Sequence, residues 1–527
     1  MVEPRVVLGE HDWRTMRTLS RKLVLMASIL ALIGALTPVA SAGPASCETR
    51  NNNTIAKLLE CVDVDGVREH QAALQAIADA NDGTRASGTP GYDASVDYVV
   101  DRMENAGYRV TVQPFEFDFS AETAIVERLD PDPRTYLDFA EVDAMAFSGE
   151  GDATALLEAV DLSIDDPAAS TSACEAADFA GFTAGNIAFA QRGFCSFAQK
   201  AANAEAAGAS ALIVTNQGTT TPEDRTGMFF GTLGAPGTAI PVVSMHWLDG
   251  LELVDLLGAG PVTMRVSVDV ESGVRTSYNV FAERTGKNAD NAVMAGGHLD
   301  SVVRGPGIQD NGSGSAALLE VAEQMAKVKP QNTLRFAWWG SEEFGLLGSI
   351  HYVENLSQEE LDEIALYLNF DMVGSPNHVF FIYDGDDSDG VGAGPGPAGS
   401  DLIEEKFEEF FDSRSLPYKG TDFSGRSDYG PFIAAGVPSG GLFTGAEGIK
   451  TDDEVALWGG VAGEQYDQCY HLACDTFDNV NLFALDTNSD AIAFATLSYA
   501  MSTELIDGEK SKGNFKPGKD PFAPETS

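Results

Sequence analysis

Three apolar segments in the second half of this chain each end in a histidine or in acidic side chains. The segments NAVMAGGH, LRFAWWGSEE and LYLNFD end at His298, at Glu342 and Glu343, and at Asp371. Apolar runs of strand length that alternate with helical patterns are typical of an α/β sheet covered by helices on both faces. Because ligand sites gather at the carboxyl edge of such sheets, we expect these polar side chains to lie close together.

The sequence between residues 121 and 270 differs from what surrounds it. It contains short apolar strands (NIAFA, ALIVTN, AIPVVSM) around one helix, AQKAANAEAAGA. Helical and strand-like segments lie both before residue 121 and after residue 270. We therefore expect a catalytic domain of residues 43–120 and 271–507 that is interrupted by a smaller β-rich insertion. Two serial domains would leave residues 43–120 as a small orphan. Residues 508–527 are polar, contain proline and predict a flexible tail. Helical spacing predicts helices at about 67–80, 92–106, 313–328 and 401–413.

The first 42 residues have the features of a secretory signal. Basic residues between 14 and 22 precede the apolar run Leu23–Leu36, and Ala40-Ser41-Ala42 resembles a cleavage site. The run is shorter than the ~20 apolar residues that a spanning helix needs. We therefore predict a secreted, extracellular protein without a stable membrane anchor, whose translation starts at Met1 or at Met16.

The chain is strongly acidic, with 33 basic and 80 acidic residues and a net charge of −47. Such a surface repels nucleic acid and is not attracted to anionic membranes. The acidity identifies no substrate, because a solvated acidic surface accounts for it. We expect a monomer that acts on peptides.

Six cysteines follow the predicted signal, and an even number in an exported chain suggests disulfides. Their local spacing makes three short-range pairs the simplest connectivity, although six cysteines allow fifteen pairings. A zinc–thiolate site is disfavoured because the closely spaced Cys-x-x-Cys pattern is absent from the sequence. The predicted pairs are Cys47–Cys61, Cys174–Cys195 and Cys469–Cys474.

The segment that begins with His298 contains two further candidate site residues. Asp310 precedes a Gly/Ser turn that opens a helix, and Asp300 is expected to accept the second imidazole N–H of His298 and so orient the ring. Each residue also has a structural explanation, because a strand-end histidine is often part of the core and Asp-Asn-Gly is a common turn. Taken singly, these residues do not establish a metal site.

Glu342 and Glu343 are adjacent at the end of an apolar strand, where two carboxylates are costly to bury unless cations or protons neutralise them. If one binds a metal ion, its neighbour can take a proton from the metal-bound water. Asp371 ends another strand, and His471 lies between two cysteines. A solvated loop or a helix cap would explain single acids. Together, two histidines and three carboxylates suit a divalent metal such as zinc.

Five motifs, in order, resemble the signatures of secreted bacterial di-zinc aminopeptidases of the leucine aminopeptidase type. They are HLDS, DNGSGSA, WWGSEEFGLLGS, NFDMVGS and CYHLACD, and GTRASGTPGYDASVDYV (83–99) is similar to the N-terminal segment of that family. The resemblance covers residues of about 65–120 and 275–505. It implies a doubly wound mixed α/β sheet, the zinc exopeptidase fold, with two zinc ions at its carboxyl edge. The roles that it implies are His298 and Asp371 on one zinc, Glu343 and His471 on the other, Asp310 bridging both, Glu342 as general base, and Tyr470 as the hydroxyl that stabilises the tetrahedral intermediate.

The insertion has a resemblance of its own. IAFAQRGFCSFAQKAANAEAAGASALIVTN is similar to the protease-associated (PA) domain of many secreted or receptor-like peptidases. Its Arg-Gly-Phe-Cys turn, its Lys-x-x-Asn-Ala helix and its Gly-Ala-x-Ala-x-Ile-Val strand carry the resemblance. A PA domain implies a lid or a substrate-selecting role rather than catalysis.

Three residues are candidates for contact with substrate. Arg426 resembles a family position that contacts the substrate backbone, and a salt bridge to a local acid is the equally weighted alternative. Met372 and Phe443 are candidates for an apolar side-chain pocket, but core packing is the default interpretation for both. Asp486 and Asp490, four apart on a predicted helix, resemble a calcium site of some relatives, but a solvated helical face is favoured.

The favoured function is an aminopeptidase that removes apolar N-terminal residues from peptides. A carboxypeptidase on the same fold would need a cationic clamp, for which Arg304 and Arg426 are the candidates near the motifs. A glutaminyl cyclase on this fold works with one zinc, whereas all five ligand positions are filled here. A non-catalytic, receptor-like binding module is the alternative from another class, and relatives of that kind lose metal ligands or the base.

Overall fold

A computed structural model describes residues 47, 49–139, 141–220, 225–390, 392 and 394–508. The predicted signal peptide (1–42) and residues 509–527 of the predicted tail lie outside these residues. The strands are β1 (Arg109–Asp130), β2 (Arg134–Thr135), β3 (Val142–Ala144), β4 (Gly151–Ala159), β5 (Ile187–Gln191), β6 (Ala211–Thr215), β7 (Val242–Met245), β8 (Thr263–Arg284), β9 (Asn288–His298), β10 (Asn332–Trp339), β11 (Ile364–Phe370), β12 (Phe381–Tyr383), β13 (Lys419–Thr421) and β14 (Ser439–Phe443). The helices are α1 (Ile55–Leu59), α2 (Val64–Asp79), α3 (Pro90–Ala106), α4 (Phe197–Ala206), α5 (Trp247–Ala259), α6 (Gly312–Gln324), α7 (Leu347–Glu354), α8 (Gln358–Asp362), α9 (Ser400–Ser413), α10 (Tyr429–Ala434), α11 (Asp452–Trp458) and α12 (Leu482–Met501).

The centre of the main sheet is parallel. β9 lies between β10 and β11 and runs parallel to both, and β14 adds a further parallel strand beside β11. β8 runs antiparallel to β10, and β12 runs antiparallel to β14, so the sheet is mixed. The order across it is β13-β12-β14-β11-β9-β10-β8. β9, β10 and β11 all end at the same edge, where the candidate ligands follow.

Both faces of this sheet are buried, as the near-continuous apolar strands predict. Along β9, Val293 and Ala295 pack into the core beneath α2, α3, α6, α9 and α12, whereas Met294 faces the opposite way. On that second face, Met294 packs with Tyr352 of α7 and Phe432 of α10. The predicted α/β fold with helices on both faces is confirmed.

The predicted helices at about 67–80, 92–106, 313–328 and 401–413 are present as α2, α3, α6 and α9. α3 shows why the sequence marks the ends so clearly. The Thr89 side chain accepts the N–H of Tyr92, Pro90 occupies the first turn, and Gly107 ends the helix at φ 85°. α6 is shorter than predicted because Met325 already closes it.

A long two-stranded ribbon joins the main sheet to the insertion. β1 and β8 are 22 residues each and pair antiparallel from Arg109↔Glu283 to Asp130↔Thr263. β10 pairs with one end of β8 and β4 pairs with the other end. The predicted insertion limits, 121 and 270, face each other within this ribbon, since Glu122 pairs with Val270. The chain therefore enters and leaves the insertion side by side.

The insertion contains a small sheet of its own. β4, β5, β6 and β7 are parallel neighbours, and β3 runs antiparallel to β7. Its two faces are both buried: on β6, Ile213 packs into one apolar cluster and Leu212 and Val214 pack into another. This arrangement agrees with the predicted β-rich insertion.

All three predicted disulfides are confirmed, as Cys47–Cys61, Cys174–Cys195 and Cys469–Cys474. In the part of the chain that is described, no helix has both the length and the apolar character needed to cross a bilayer.

Candidate metal centre

The first group of candidate ligands surrounds the imidazole of His298, which is fully buried at the end of β9. Its Nε2 lies 3.2 Å from Oδ1 of Asp310 and 3.2 Å from Oδ1 of Asp371. Asp310 precedes α6, and Asp371 directly follows β11. The ligand atoms of these three residues lie within 4.8 Å of one another.

The second group surrounds His471. Its Nε2 lies 3.2 Å from Oδ2 of Asp310 and 3.1 Å from Oε2 of Glu343. Asp310 therefore turns one oxygen toward each histidine. The structure brings together all five predicted ligands in two adjacent groups that share Asp310.

The electrostatics of both groups fit bound cations. Burial would lower the pKa of His471, but the carboxylates of Glu343 and Asp310 outweigh it and raise that pKa to about 10. Burial raises the pKa of Glu343 to about 6. Its Oε1 is also buried without a hydrogen-bond partner, and a metal ion would supply one. Imidazole nitrogens and carboxylate oxygens are the donor set of a zinc site outside thiolate chemistry.

Glu342 lies beside both groups, and its carboxylate forms a further candidate group with His298 and Glu343, within 4.8 Å of one another. Its Oε2 is 4.0 Å from Nε2 of His298, and the side chain lines the cleft above the ligands. Burial and the neighbouring carboxylates of Asp371 and Glu343 raise its pKa well above the ordinary value. A buried carboxyl of this kind, next to metal ligands and open to a cleft, can accept and return a proton.

Asp300 lies beside the His298 ring, and its backbone carbonyl is nearer to the ring than its carboxylate is. Nδ1 of His298 lies 3.1 Å from the backbone carbonyl oxygen of Asp300, whereas the carboxylate Oδ1 is 3.7 Å away. That Oδ1 instead accepts the backbone N–H of Glu342 at 3.2 Å. Asp300 thus orients the imidazole through its main chain and positions Glu342 through its side chain.

A short disulfide loop presents His471 and Tyr470. The disulfide Cys469–Cys474 joins cysteines that are five residues apart in the sequence. Within the loop that it closes, His471 has φ 59°, in the left-handed region that non-glycine residues rarely adopt. The Tyr470 ring stacks on the imidazole with centroids 3.8 Å apart. Both predicted residues therefore lie at the site in a fixed arrangement.

For Arg426 the structure shows the salt bridge to a local acid. Nη1 forms an ion pair with Glu447 at 2.6 Å, and Nη2 donates to the hydroxyl of Tyr470 at 3.2 Å. The predicted pocket residues Met372 and Phe443 both line the same cleft. Met372 is buried, and the half-buried Phe443 stacks on Phe381 with centroids 6.0 Å apart, so each also packs against the core.

Two positioning residues lie in motifs quoted above, although their roles were not predicted. The buried guanidinium of Arg85 donates to the carbonyls of Leu299, Pro306 and Gly307, which lie between His298 and Asp310. The buried carboxylate of Asp475 accepts the N–H groups of Gln309 at 2.8 Å and of Asp310 at 2.9 Å. The signal available in the sequence was their position inside the segments GTRASGTPGYDASVDYV and CYHLACD.

Asp486 and Asp490, for which the sequence favours a solvated helical face over a calcium site, lie apart from this centre on α12. Asp490 forms an ion pair with Arg414 at 2.8 Å, which supplies positive charge at that position. Burial raises the pKa of Asp486, which accepts the backbone N–H of Val64.

Four of the five candidate ligands, all except His298, line a cleft of about 1320 Å³ between the main sheet and the insertion. Its lining carries many carboxylates and the guanidinium groups of Arg304 and Arg426. Arg304 is paired with Asp143 of β3 at 2.6 Å and lies over the Phe139 ring at 4.1 Å. Both cations of the lining are thus held by acids.

An α/β sheet that places two linked metal-ligand groups and a further glutamate at its carboxyl edge defines a metal-dependent hydrolase. The comparisons with known proteins make this specific. The family model "Peptidase family M28" matches residues 279–496, and the PA domain model matches residues 158–253.

Curated relatives extend the match over most of the chain. An aminopeptidase of Pseudomonas aeruginosa is 47% identical over 456 residues, which are 86% of this chain and 84% of that protein. Leucine aminopeptidase 2 of Arthroderma otae is 40% identical over 439 residues, 83% of each chain. The chain belongs to peptidase family M28, with an inserted PA domain.

Solved structures agree. The aminopeptidase from Aneurinibacillus sp. strain AM-1 has a TM-score of 0.62 at 27% identity and covers 85% of this chain and 95% of its own. BSAP, a zinc aminopeptidase from Bacillus subtilis, has a TM-score of 0.61 at 24% identity. The match covers 83% of this chain and 95% of BSAP, and it supports the fold. Together these findings confirm the prediction of a zinc-dependent metalloaminopeptidase.

Proposed function

We propose that the protein is an extracellular aminopeptidase that uses two zinc ions to remove apolar, leucine-like residues from peptide N-termini. The observation that carries the proposal is the shared carboxylate of Asp310, whose two oxygens lie 3.2 Å from His298 and from His471. A carboxylate in this position suits a pair of ions, with His298 and Asp371 on one and Glu343 and His471 on the other.

When bound, such a pair of ions lowers the pKa of a water molecule and polarises the scissile carbonyl. Glu342 is the general base: it accepts the proton of the attacking water and returns it to the leaving amine. Asp300 holds the backbone of Glu342 and, through its carbonyl, the ring of His298, so the base and one ligand are fixed together.

Tyr470 is assigned to stabilise the negative charge that develops on the carbonyl oxygen. Arg426 donates to the Tyr470 oxygen, which leaves the phenolic proton free to be donated to substrate. Burial and the neighbouring acids raise the pKa of Tyr470 well above the ordinary value, so the hydroxyl keeps its proton at neutral pH.

The charges of the cleft favour a free amine over a free carboxylate at the substrate terminus. A substrate ammonium group would face Glu342 and Asp371. A carboxypeptidase would need a cation for the terminal carboxylate, but Arg304 is bound to Asp143 and Arg426 is bound to Glu447. The complete set of five ligands also argues against a one-zinc cyclase, and the presence of Glu342 argues against a non-catalytic module.

Two features support the location and the preference. Three disulfides suit an oxidising compartment, in agreement with the predicted signal peptide and with secretion. Met372 and Phe443 line the cleft near Asp371 and offer apolar surface to the first side chain, and one relative is named for leucine.

The proposal is tested with leucyl and N-acetyl-leucyl p-nitroanilides on the zinc-loaded protein. We expect hydrolysis of the free-amine substrate and at least a hundredfold lower kcat/KM for the acetylated one, because acetylation removes the charge that the carboxylates recognise. Comparable rates on both substrates, or none on the free amine, would overturn the assignment. Phenylalanine, glutamate and lysine anilides then measure the preference for the first side chain.

A further inference from the structure

Part of the cleft wall beside the candidate metal ligands comes from the insertion. Phe230, Phe139 and Asp143 of the insertion line the same cleft as Glu343 and His471. The Phe230 ring lies 5.8 Å from the imidazole of His471, centroid to centroid. An aromatic side chain of the insertion therefore directly neighbours a candidate zinc ligand.

The backbone holds Phe230 firmly in this position. Its neighbour Phe229 is buried in the core of the insertion, where it stacks on Phe197 with centroids 5.3 Å apart. The next residue, Gly231, offers its carbonyl to the N–H of Ala146. With Phe229 buried on one side, Phe230 projects the other way and remains 37% exposed, toward the cleft.

Arg304 connects this wall to the catalytic domain. It follows the His298 motif, forms the ion pair with Asp143, and lies 4.1 Å from the Phe139 ring and 6.0 Å from the Phe230 ring. The Asp143 side chain is 3% exposed and that of Arg304 is 20% exposed, so water weakens this pair little. One guanidinium thus packs over the Phe139 ring and lies near the Phe230 ring.

We propose that Phe230 is a specificity-determining residue, which contacts the second residue of the substrate and favours apolar side chains there. This inference rests on the proposed function, which sets the direction of the peptide. The N-terminal amine is directed to Asp371 and Glu342, and the scissile carbonyl to Tyr470 and His471. The chain then continues past His471, where Phe230 lies.

The experiment compares the amides Leu-Phe-NH2 and Leu-Gly-NH2, which differ only in the second residue. We expect the wild-type protein to favour Leu-Phe-NH2 about tenfold in kcat/KM, the order expected for apolar contact in a pocket. Phe230→Ala should reduce this ratio to below twofold, and Phe230→Leu should give an intermediate ratio. The matched control is Phe194→Ala, since Phe194 is 91% exposed on the same domain and should keep the wild-type ratio.

The outcomes separate the two proposals. A wild-type protein that cleaves neither amide contradicts the proposed function itself. A protein that cleaves both but shows no preference, or whose preference survives Phe230→Ala, contradicts the role of Phe230. A change confined to the first-residue ratio, measured with Leu-Gly-NH2 and Ala-Gly-NH2, also overturns it. If Phe230→Ala does not fold, judged by its thermal midpoint, Phe230→Leu decides the question in the same assay.

Discussion

Replacing Asp475 by asparagine should weaken zinc binding without touching a ligand. The carboxylate of Asp475 accepts the backbone N–H groups of Gln309 and Asp310 at 2.8 and 2.9 Å, with one oxygen for each. Asparagine has the same shape but only one acceptor oxygen, so an amide NH2 must face one of these N–H groups. The segment that carries the shared ligand Asp310 then loses one charged hydrogen bond.

The size of the effect follows from that single bond. A hydrogen bond to a charged group contributes about 1.5–3 kcal/mol. With about 1.4 kcal/mol per factor of ten, Asp475→Asn should bind zinc roughly 10- to 150-fold more weakly. Replacing a residue that supports a metal ligand typically lowers metal affinity by roughly 10- to 100-fold, in agreement with this range.

Zinc affinity is measured by competition with a chromophoric chelator at fixed pH, and the fold is checked by circular dichroism. The control is Asp478→Asn, because Asp478 is an exposed acid three residues further along the same loop. The control should bind zinc as the wild type does. An Asp475→Asn variant with wild-type affinity would refute the view that this carboxylate positions Asp310.

Two predictions concern stability. Arg85→Met leaves three buried carbonyl oxygens without their donor and should lower the free energy of unfolding by at least about 3 kcal/mol in urea titrations; a loss under 1 kcal/mol would contradict its positioning role. Burial and nearby Glu323 raise the pKa of Glu320 to about 8 from 4.5, so the folded protein holds a proton there that the unfolded chain releases. The contribution of this proton to the free energy of unfolding is complete below pH 4.5. It is lost as pH rises toward 8, by up to about 1.4 kcal/mol per pH unit. The increase in the free energy of unfolding caused by Glu320→Gln should therefore grow from pH 5 to pH 8 and then level off. The exposed control Glu354→Gln should show no such pH dependence. An increase for Glu320→Gln that does not depend on pH would refute the buried-proton explanation.

The clustering of the candidate metal ligands could be predicted because each one belongs to a local pattern. His298 and Asp371 lie at the ends of apolar strands, and Asp310 opens a helix. Parallel strands that end at one edge of a sheet bring such residues together, regardless of the conformation of the connecting loops. The arrangement of Asp310 between two histidines agrees with the role that the family resemblance implied.

Contacts between distant parts of the chain were harder to predict. Phe230 meets His471 only because the β1–β8 ribbon places the insertion over the sheet edge, and no local pattern records that placement. The carboxylate of Asp300 was assigned to His298 from spacing, but the chain turns so that its carbonyl is nearer to the ring. Spacing identifies neighbours, whereas backbone geometry decides which atom of a neighbour makes the contact.

The central claim is a hydrolytic centre of two zinc ions with Glu342 as its base. Zinc content and leucyl p-nitroanilide turnover, measured on the same preparations of wild type and Glu342→Gln, test it most directly. We predict two zinc ions per chain in both proteins and a loss of at least a thousandfold in kcat for the variant, within the range, about 10²–10⁴-fold, that a general base contributes. One zinc per chain in the wild type, or a variant with unchanged turnover, would contradict the account.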